Sequence, residues 1–562
     1  LDLSGNSIGD TGAQGLKLPD NLQYLDLTSN SIGDAGAQRL NLPDSLRFLS
    51  LSQNKISATG VRGLKFPDNL QTLYLDANNI CDSGAQGLQL PDNLLSLGLG
   101  SNGITAMGVQ GLKLPDSLQY LSLLNNSIGD SGAQGLQLPD NLLSLDLWMN
   151  GIGITGAQGL KLPDSLQRLS LLQNNISATG AQGLKLPDNL QYLDLSFNNI
   201  GDSGPQGLKL PDNLQYLDLS SNGIGNAGAQ ALKLPDSLQF LILINNSMGA
   251  GIQRLKLPDS LQFLELGSNN IGDAEIQELK LPIKIRSLGL GGNNIGDIGA
   301  QELMLPDGLE SLDLNWNNIG DYGVQGFKLP NSLQSLSLVG NRIGDEKGAE
   351  KLKFPDSLQS LSLGVNLIDD VAVQALKLPS SLQSLDLSFN HFGDEGVKAL
   401  LQKIPETNLT FIFLNGNYYN STTINIDRTI QQQKLLRNCQ DKLCHANTPL
   451  REQQDGYQTS GAARAEVPLF FSWLKKPLSK LSEYASDCIS TTFDSLGVRL
   501  EKVLSQSPSY FPNIHSPVIH DWQPARSKSV MLHQYNAQGS NALLLLSGTQ
   551  AATQPSLRVL AW

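Results

Sequence analysis

Leu22-Gln23-Tyr24-Leu25-Asp26-Leu27-Thr28-Ser29-Asn30-Ser31-Ile32 decides the fold, because its pattern LxxLxLxxNxI returns every 24 residues. Asn marks the period from Asn6 through Asn30 and Asn54 to Asn246 in equal steps of 24. It continues through Asn269, Asn293, Asn317, Asn341, Asn366, Asn390 and Asn417 at steps of 23, 24, 24, 24, 25, 24 and 27, giving 18 marks in all. A fixed period of this length means an array of stacked units. Leu25 and Leu27 alternate inward on a short strand, while Leu22, Ile32, Ala37, Leu40 and Leu42 fill the coil, so each coil buries its leucines only against its neighbours. The Asn sits where the chain leaves the strand, and its amide both donates to and accepts from backbone groups of adjacent coils.

The other half of each repeat, as in Gly33-Asp34-Ala35-Gly36-Ala37-Gln38-Arg39-Leu40, predicts a short helix with Asp34 as its N-cap and Ala37 and Leu40 on one face. Pro43 closes the segment before the next strand. Helices are wider than the ~4.8 Å strand spacing, so stacking curves the array with a parallel sheet on the concave side and helices on the convex side, the sheet running about 80 Å.

These residues resemble the leucine-rich-repeat family, specifically its ribonuclease-inhibitor-like subtype. The stretch Ile32-Gly33-Asp34-Ala35-Gly36-Ala37-Gln38-Arg39-Leu40 is similar to the IGDxGAxxL segment of the 24-residue bacterial GALA type. The resemblance implies an α/β leucine-rich-repeat solenoid, a horseshoe with its parallel sheet concave, that binds protein partners on that face. GALA-type proteins are similar to effectors that bacteria deliver into eukaryotic cells, which implies a host-directed role and a cytoplasmic place of action.

Three columns of side chains point outward from the sheet, flanking the inward leucines. The first holds Tyr24, Phe48, Tyr120, Arg168, Tyr192, Tyr216, Phe240 and Phe263, then turns to serine from Ser287 to Ser384. The second carries Asp146, Asp194, Asp218, Ile242 and Glu265, and the third Leu124, Trp148, Leu172 and Ile244. Between Trp148 and Glu265 aromatic and aliphatic groups mix with carboxylates, the composition of an interface anchor. The candidate partner-binding residues are therefore Asp146, Trp148, Tyr192, Asp194, Tyr216 and Asp218, together with Phe240, Ile242, Ile244, Phe263 and Glu265. Against this stands the plain alternative that Tyr and Phe are strand formers packing along their column.

Charge narrows the partner. Residues 1 to 400 hold 24 Lys and Arg against 41 Asp and Glu, a net of −17, and residues 401 to 562 hold 15 against 11, a net of +4, together the −13 of the whole chain. An acidic array disfavours nucleic acid, whose phosphates need clustered cations, and points to a basic protein partner, against the alternative of solvated charge that merely keeps the array soluble. Gly98-Leu99-Gly100-Ser101-Asn102-Gly103 matches GxGxxG, but Leu99 and Asn102 are core and turn positions of a coil, so it is no phosphate loop. The reading is thus of a non-catalytic scaffold with no cofactor and no metal; the CxxxxCH spacing of Cys439, Cys444 and His445 fits zinc poorly. Cys81, Cys439, Cys444 and Cys488 are too scattered for disulfide caps, pointing to a reducing compartment. Leu1-Asp2-Leu3 carries neither an initiator Met nor a signal peptide, and the expectation is that the chain begins inside a longer protein.

The array is predicted to span residues 1–438, ending in a cap helix, with a linker over 439–466, an amphipathic helical segment over 467–504 and a largely disordered tail over 505–562. Leu469-Phe470-Phe471-Ser472-Trp473-Leu474-Lys475-Lys476, which mixes aromatics with basic groups, is a candidate membrane contact, against the alternative of a helical pair packing on itself or on the solenoid. The rival functional reading is an enzyme-linked effector, the repeats acting as substrate receptor and a thiol such as Cys488 giving the tail ubiquitin-ligase-like activity.

Overall fold

The structure, a computed structural model, describes residues 1–344 and 346–420 and the strands Ser529–Tyr535, Asn541–Ser547 and Arg558–Ala561. The chain divides into two units, Leu1–Cys439 and Gln440–Trp562. The predicted cap helix, linker and amphipathic segment, and with them Cys439, Cys444, His445 and Cys488, lie outside the described residues.

In the first unit a parallel sheet of 17 strands runs from β1 (Tyr24–Asp26) to β17 (Phe411–Phe413), each strand three residues long. One short helix or 3-10 turn follows nearly every strand on the opposite side of the coil. Each strand pairs with the next in strict register, as in Tyr192↔Tyr216, Leu193↔Leu217 and Asp194↔Asp218. Equivalent positions of successive repeats are therefore direct neighbours, so the three columns read from the sequence exist as rows on the sheet. The inward leucines do what their alternation requires: Leu25 and Leu27 are fully buried, as are Leu193 and Leu195. The leucine-rich-repeat solenoid expected from the period is the observed fold.

The asparagines tie the coils together. Asn222 Nδ2 donates to Leu195 O at 2.9 Å and to Leu219 O at 2.9 Å. Its Oδ1 accepts from Asn198 N at 2.9 Å and from Ile200 N at 3.3 Å. One side chain thus satisfies buried backbone groups of two coils, which no apolar residue would do.

Asp34 does not cap its own helix. Gly33 holds the N-cap position of helix Asp34–Gln38 without a side-chain bond, and Asp34 Oδ1 instead accepts from Ser57 N of the next coil at 2.7 Å. Asp10 does the same for Gly33 N at 2.6 Å and Gly36 N at 3.0 Å, and Asp370 for Gly393 N and Gly396 N, both at 2.7 Å. The helices stand side by side with their N-termini aligned, so a carboxylate at the first helical position reaches the free N–H groups of its neighbour rather than those of its own turn. This close stacking also explains the recurrent helix glycine. A Cβ at Gly108 would stand 2.5 Å from Asp82 Oδ1 and 3.0 Å from Asp82 Cα.

Where the repeat departs from its norm, the helix tightens. The one-residue-shorter step from Asn246 to Asn269 makes Gly249–Arg254 a 3-10 helix, as does Pro205 in Gly204–Gln206, both cases losing room or a donor for the wider turn. In the second unit, Ser529–Tyr535, Asn541–Ser547 and Arg558–Ala561 form an antiparallel sheet. The sequence predicts no regular structure there from its Pro, Ser and Gln content. The strands include its most apolar run, Ala542-Leu543-Leu544-Leu545-Leu546.

Candidate functional site

The outward rows of the sheet bring together most, but not all, of the predicted partner-binding residues. On β8 (Tyr192–Asp194), β9 (Tyr216–Asp218), β10 (Phe240–Ile242) and β11 (Phe263–Glu265) the first-row rings form a continuous ladder. Tyr192 and Tyr216 stack at 4.2 Å between centroids with a 12° interplanar angle, Tyr216 and Phe240 follow at 6.4 Å, and Phe240 and Phe263 at 5.9 Å. Arg168 of β7 (Arg168–Ser170) closes one end, its Cζ 4.1 Å from the Tyr192 centroid. Rings about 4.8 Å apart on neighbouring strands are at the natural distance for such stacking. Asp146 and Trp148 belong to the coil of β6 (Ser144–Asp146), next to β7 and outside the stacked rings. There Trp148 N donates to Asp146 Oδ1 at 3.0 Å and Trp148 Nε1 to Gln173 Oε1 at 3.3 Å.

The rings are half-buried against one another rather than freestanding. Ile242, predicted as an exposed anchor, is only 9% exposed, because the row on either side of it closes over a three-residue strand. Ile244 is half-buried. The packing alternative raised from the sequence is thus physically present in the same residues that offer contact surface. A second ladder, Tyr24 on Phe48 at 4.3 Å with Phe48 edge-on to Tyr74 at 5.6 Å, stands near the first coils.

Beside the rings runs the carboxylate row. Asp194 accepts from Ser196 N at 2.9 Å and from Ser196 Oγ at 2.6 Å, and Asp218 accepts from Ser220 N at 2.8 Å. Burial, reinforced by the Asp194 charge, pushes Asp218 up to about 7. Burial and then the Asp313 charge push Glu265 up to about 8, and burial pushes Asp313 up to about 6. Asp146 is raised by burial as well. Tyr192 and Tyr216 are held far above the ordinary phenol range, chiefly by burial. The row sets acids close to one another in buried surroundings, so the charged forms are disfavoured.

Asp313, on β13 (Ser311–Asp313), was not among the sequence candidates. The available signal was the pair of glycines, Gly289 and Gly291, that leaves the row open between it and Glu265. Among the described residues no group of three or more His, Cys, Asp or Glu is arranged to hold a metal, and no helix is long and apolar enough to cross a membrane.

Models of the leucine-rich repeat match the chain at residues 164–224, at 213–241, and in seven segments, 1–17, 20–40, 117–136, 283–304, 309–328, 330–352 and 379–401. No curated protein sequence matches it. Among solved structures, one titled as the crystal structure of a TLR13–ssRNA13 complex aligns at 25% identity and a TM-score of 0.47, over 72% of this chain and 61% of that one. This chain thus spans less than two thirds of that structure's length. An internalin, inlF, from Listeria monocytogenes str. 4b F2365 aligns at 21% identity and a TM-score of 0.29, over 66% of this chain and 81% of that one. The 24-residue period, the asparagine ladder, the single-register parallel sheet and the matched repeat models together make this chain a leucine-rich-repeat protein.

Proposed function

We propose that the chain is a non-catalytic scaffold that holds a basic protein partner on its sheet face, centred on the coils from Trp148 to Glu265. The observation that carries this reading is the Arg168–Tyr192–Tyr216–Phe240–Phe263 ladder lying alongside Asp194, Asp218 and Glu265. Rigid aromatic groups lose little entropy on binding and supply most of the contact energy at interfaces, while adjacent carboxylates select the partner's charge. The same carboxylates disfavour a phosphate backbone. The IGDxGAxxL stretch supports a ribonuclease-inhibitor-like, GALA-type subtype, and with it a role as an effector acting in a host cytoplasm.

The test is affinity capture from eukaryotic cell lysate by the unmodified chain and by a Tyr216→Ser, Asp218→Ser, Phe240→Ser variant with an unchanged circular dichroism spectrum. A protein retained only by the unmodified chain supports the reading. Equal retention by both moves binding away from this face.

A further inference from the structure

We infer that Glu265 and Asp313, on either side of Gly289 and beside Gly267 and Gly291, form a socket for one lysine or arginine side chain of the bound partner. This rests on the scaffold reading above and specifies what the sheet face grips.

The socket is built by three missing side chains. In the second row Gly289, on β12 (Ser287–Gly289), separates Glu265 from Asp313, and in the third row Gly267 and Gly291 lie beside them. The Glu265 carboxylate leans over Gly289, filling the space where a Cβ would stand. From the other side the Asp313 carboxylate approaches Gly291, its Oδ1 3.4 Å from the position of a Cβ there. The two carboxylates therefore lie along one row with no other side chain between them.

Among the described residues neither acid is paired with a cation. Among the described residues no donor reaches the Glu265 carboxylate, whereas Asp313 Oδ1 accepts from Asn315 N at 2.7 Å. β10 and β12, the strands packed against β11, bring no titratable group. The nearest charges along the row are Asp313 beyond Gly289 and Asp218 beyond Ile242, both negative. Arg286, near the start of β12, is engaged with Glu310 at 3.3 Å. A half-buried carboxyl without donors holds its proton in the free chain, because the bare charge would be uncompensated. A cationic side chain lying over the two carboxylates would compensate that charge through charge-assisted hydrogen bonds to both acids. Its aliphatic stem would lie along Phe263 and Ile242, as long cationic side chains do on apolar surface. The chain already shows the preference on the same face, where Arg168 lies over Tyr192. Two carboxylates on a glycine floor fall short of the six to eight oxygens a calcium ion takes, so the occupant is a side chain and not a metal.

The elevated position of Glu265, about 8, adds a signature: at pH 7 it holds its proton until the cation displaces it, so binding releases about one proton.

The full chain is titrated calorimetrically with a nona-arginine peptide at pH 7 in about 0.15 M salt, in two buffers of different ionisation enthalpy. It is compared with a Glu265→Gln, Asp313→Asn variant and with a charge-matched Asp188→Asn, Asp212→Asn variant altered at two exposed turns. The expected result is a loss of roughly tenfold or more in affinity for the first variant, under about twofold for the second, and about one proton released per peptide by the unmodified chain and by the second variant but not by the first. Equal weakening by both variants would mean diffuse attraction to an acidic surface and overturn the socket. So would the absence of proton release from the unmodified chain, which needs no variant to read, or calcium binding there more tightly than the peptide. A lysate partner lost by the Tyr216→Ser, Asp218→Ser, Phe240→Ser variant but kept by Glu265→Gln, Asp313→Asn would overturn the socket and leave the scaffold standing.

Discussion

Replacing Asn222 by Ala removes one rung of the ladder that joins the coils, and its cost follows from the bonds it makes. The side chain is 2% exposed. Its Oδ1 accepts from Asn198 N at 2.9 Å and Ile200 N at 3.3 Å, and its Nδ2 donates to Leu195 O and Leu219 O, both at 2.9 Å. Alanine leaves two buried N–H groups without acceptors at about 1–3 kcal/mol each, so the expected loss is about 2–6 kcal/mol. The internal control is Asn213→Ala in the same coil, because Asn213 makes one exposed bond, from Nδ2 to Asp188 O at 2.9 Å, worth about 0.5–1.5 kcal/mol. Both are read by urea unfolding and by hydrogen exchange at Asn198 and Ile200, since a repeat array opens locally between nearest neighbours. A loss for Asn222→Ala no greater than that for Asn213→Ala, with exchange at those two amides unchanged, would refute the view that the asparagines join the coils.

Leu195→Ala, at a fully buried inward position, is expected to cost about 2–5 kcal/mol in the same unfolding experiment; a loss under about 1 kcal/mol would reverse the inward and outward assignment of the strands. Gly108→Ala should destabilise by about 1–3 kcal/mol despite alanine's better helix propensity, because the new methyl meets Asp82 and Ile104 of neighbouring turns; a rise in melting temperature would show that the helices have slack between them. Glu265 is raised from 4.5 to about 8 on folding, so the folded chain holds that proton more tightly than the unfolded one. Its contribution to stability is present at low pH and is lost as pH rises towards about 8. Melting temperature should therefore fall from pH 5 to pH 8.5, and Glu265→Gln should flatten that slope and melt higher than the unmodified chain at pH 8.5. Identical pH profiles for the two proteins would contradict the burial of this carboxyl.

The fold was legible because every repeat states it independently: Leu25, Leu27 and Asn30 recur with a spacing that only stacked coils satisfy. What one repeat does to the next was less legible. Asp34 has the residue type and position of a helix N-cap, and nothing within its own repeat reveals that the donors it reaches belong to Ser57, one coil on. The same limit applies on the sheet face. Column membership of Tyr192, Tyr216, Phe240 and Phe263 follows from the period, but the degree to which the rings shield each other, and the burial of Ile242 among its neighbours, depends on stacking angles between strands. Asp313 is illegible for a related reason: its row looks broken at Gly289, and only in three dimensions does the Glu265 carboxylate reach across that gap.

The most direct test of the scaffold is site-specific photo-crosslinking from the two sides of one coil in eukaryotic lysate. A benzophenone side chain would be placed at Tyr192 on the sheet or at Thr179 on the helix side. The account predicts polypeptide adducts from position 192 that Glu265→Gln, Asp313→Asn weakens, and none from 179. Adducts from 179 alone would contradict it, placing the partner on the helices.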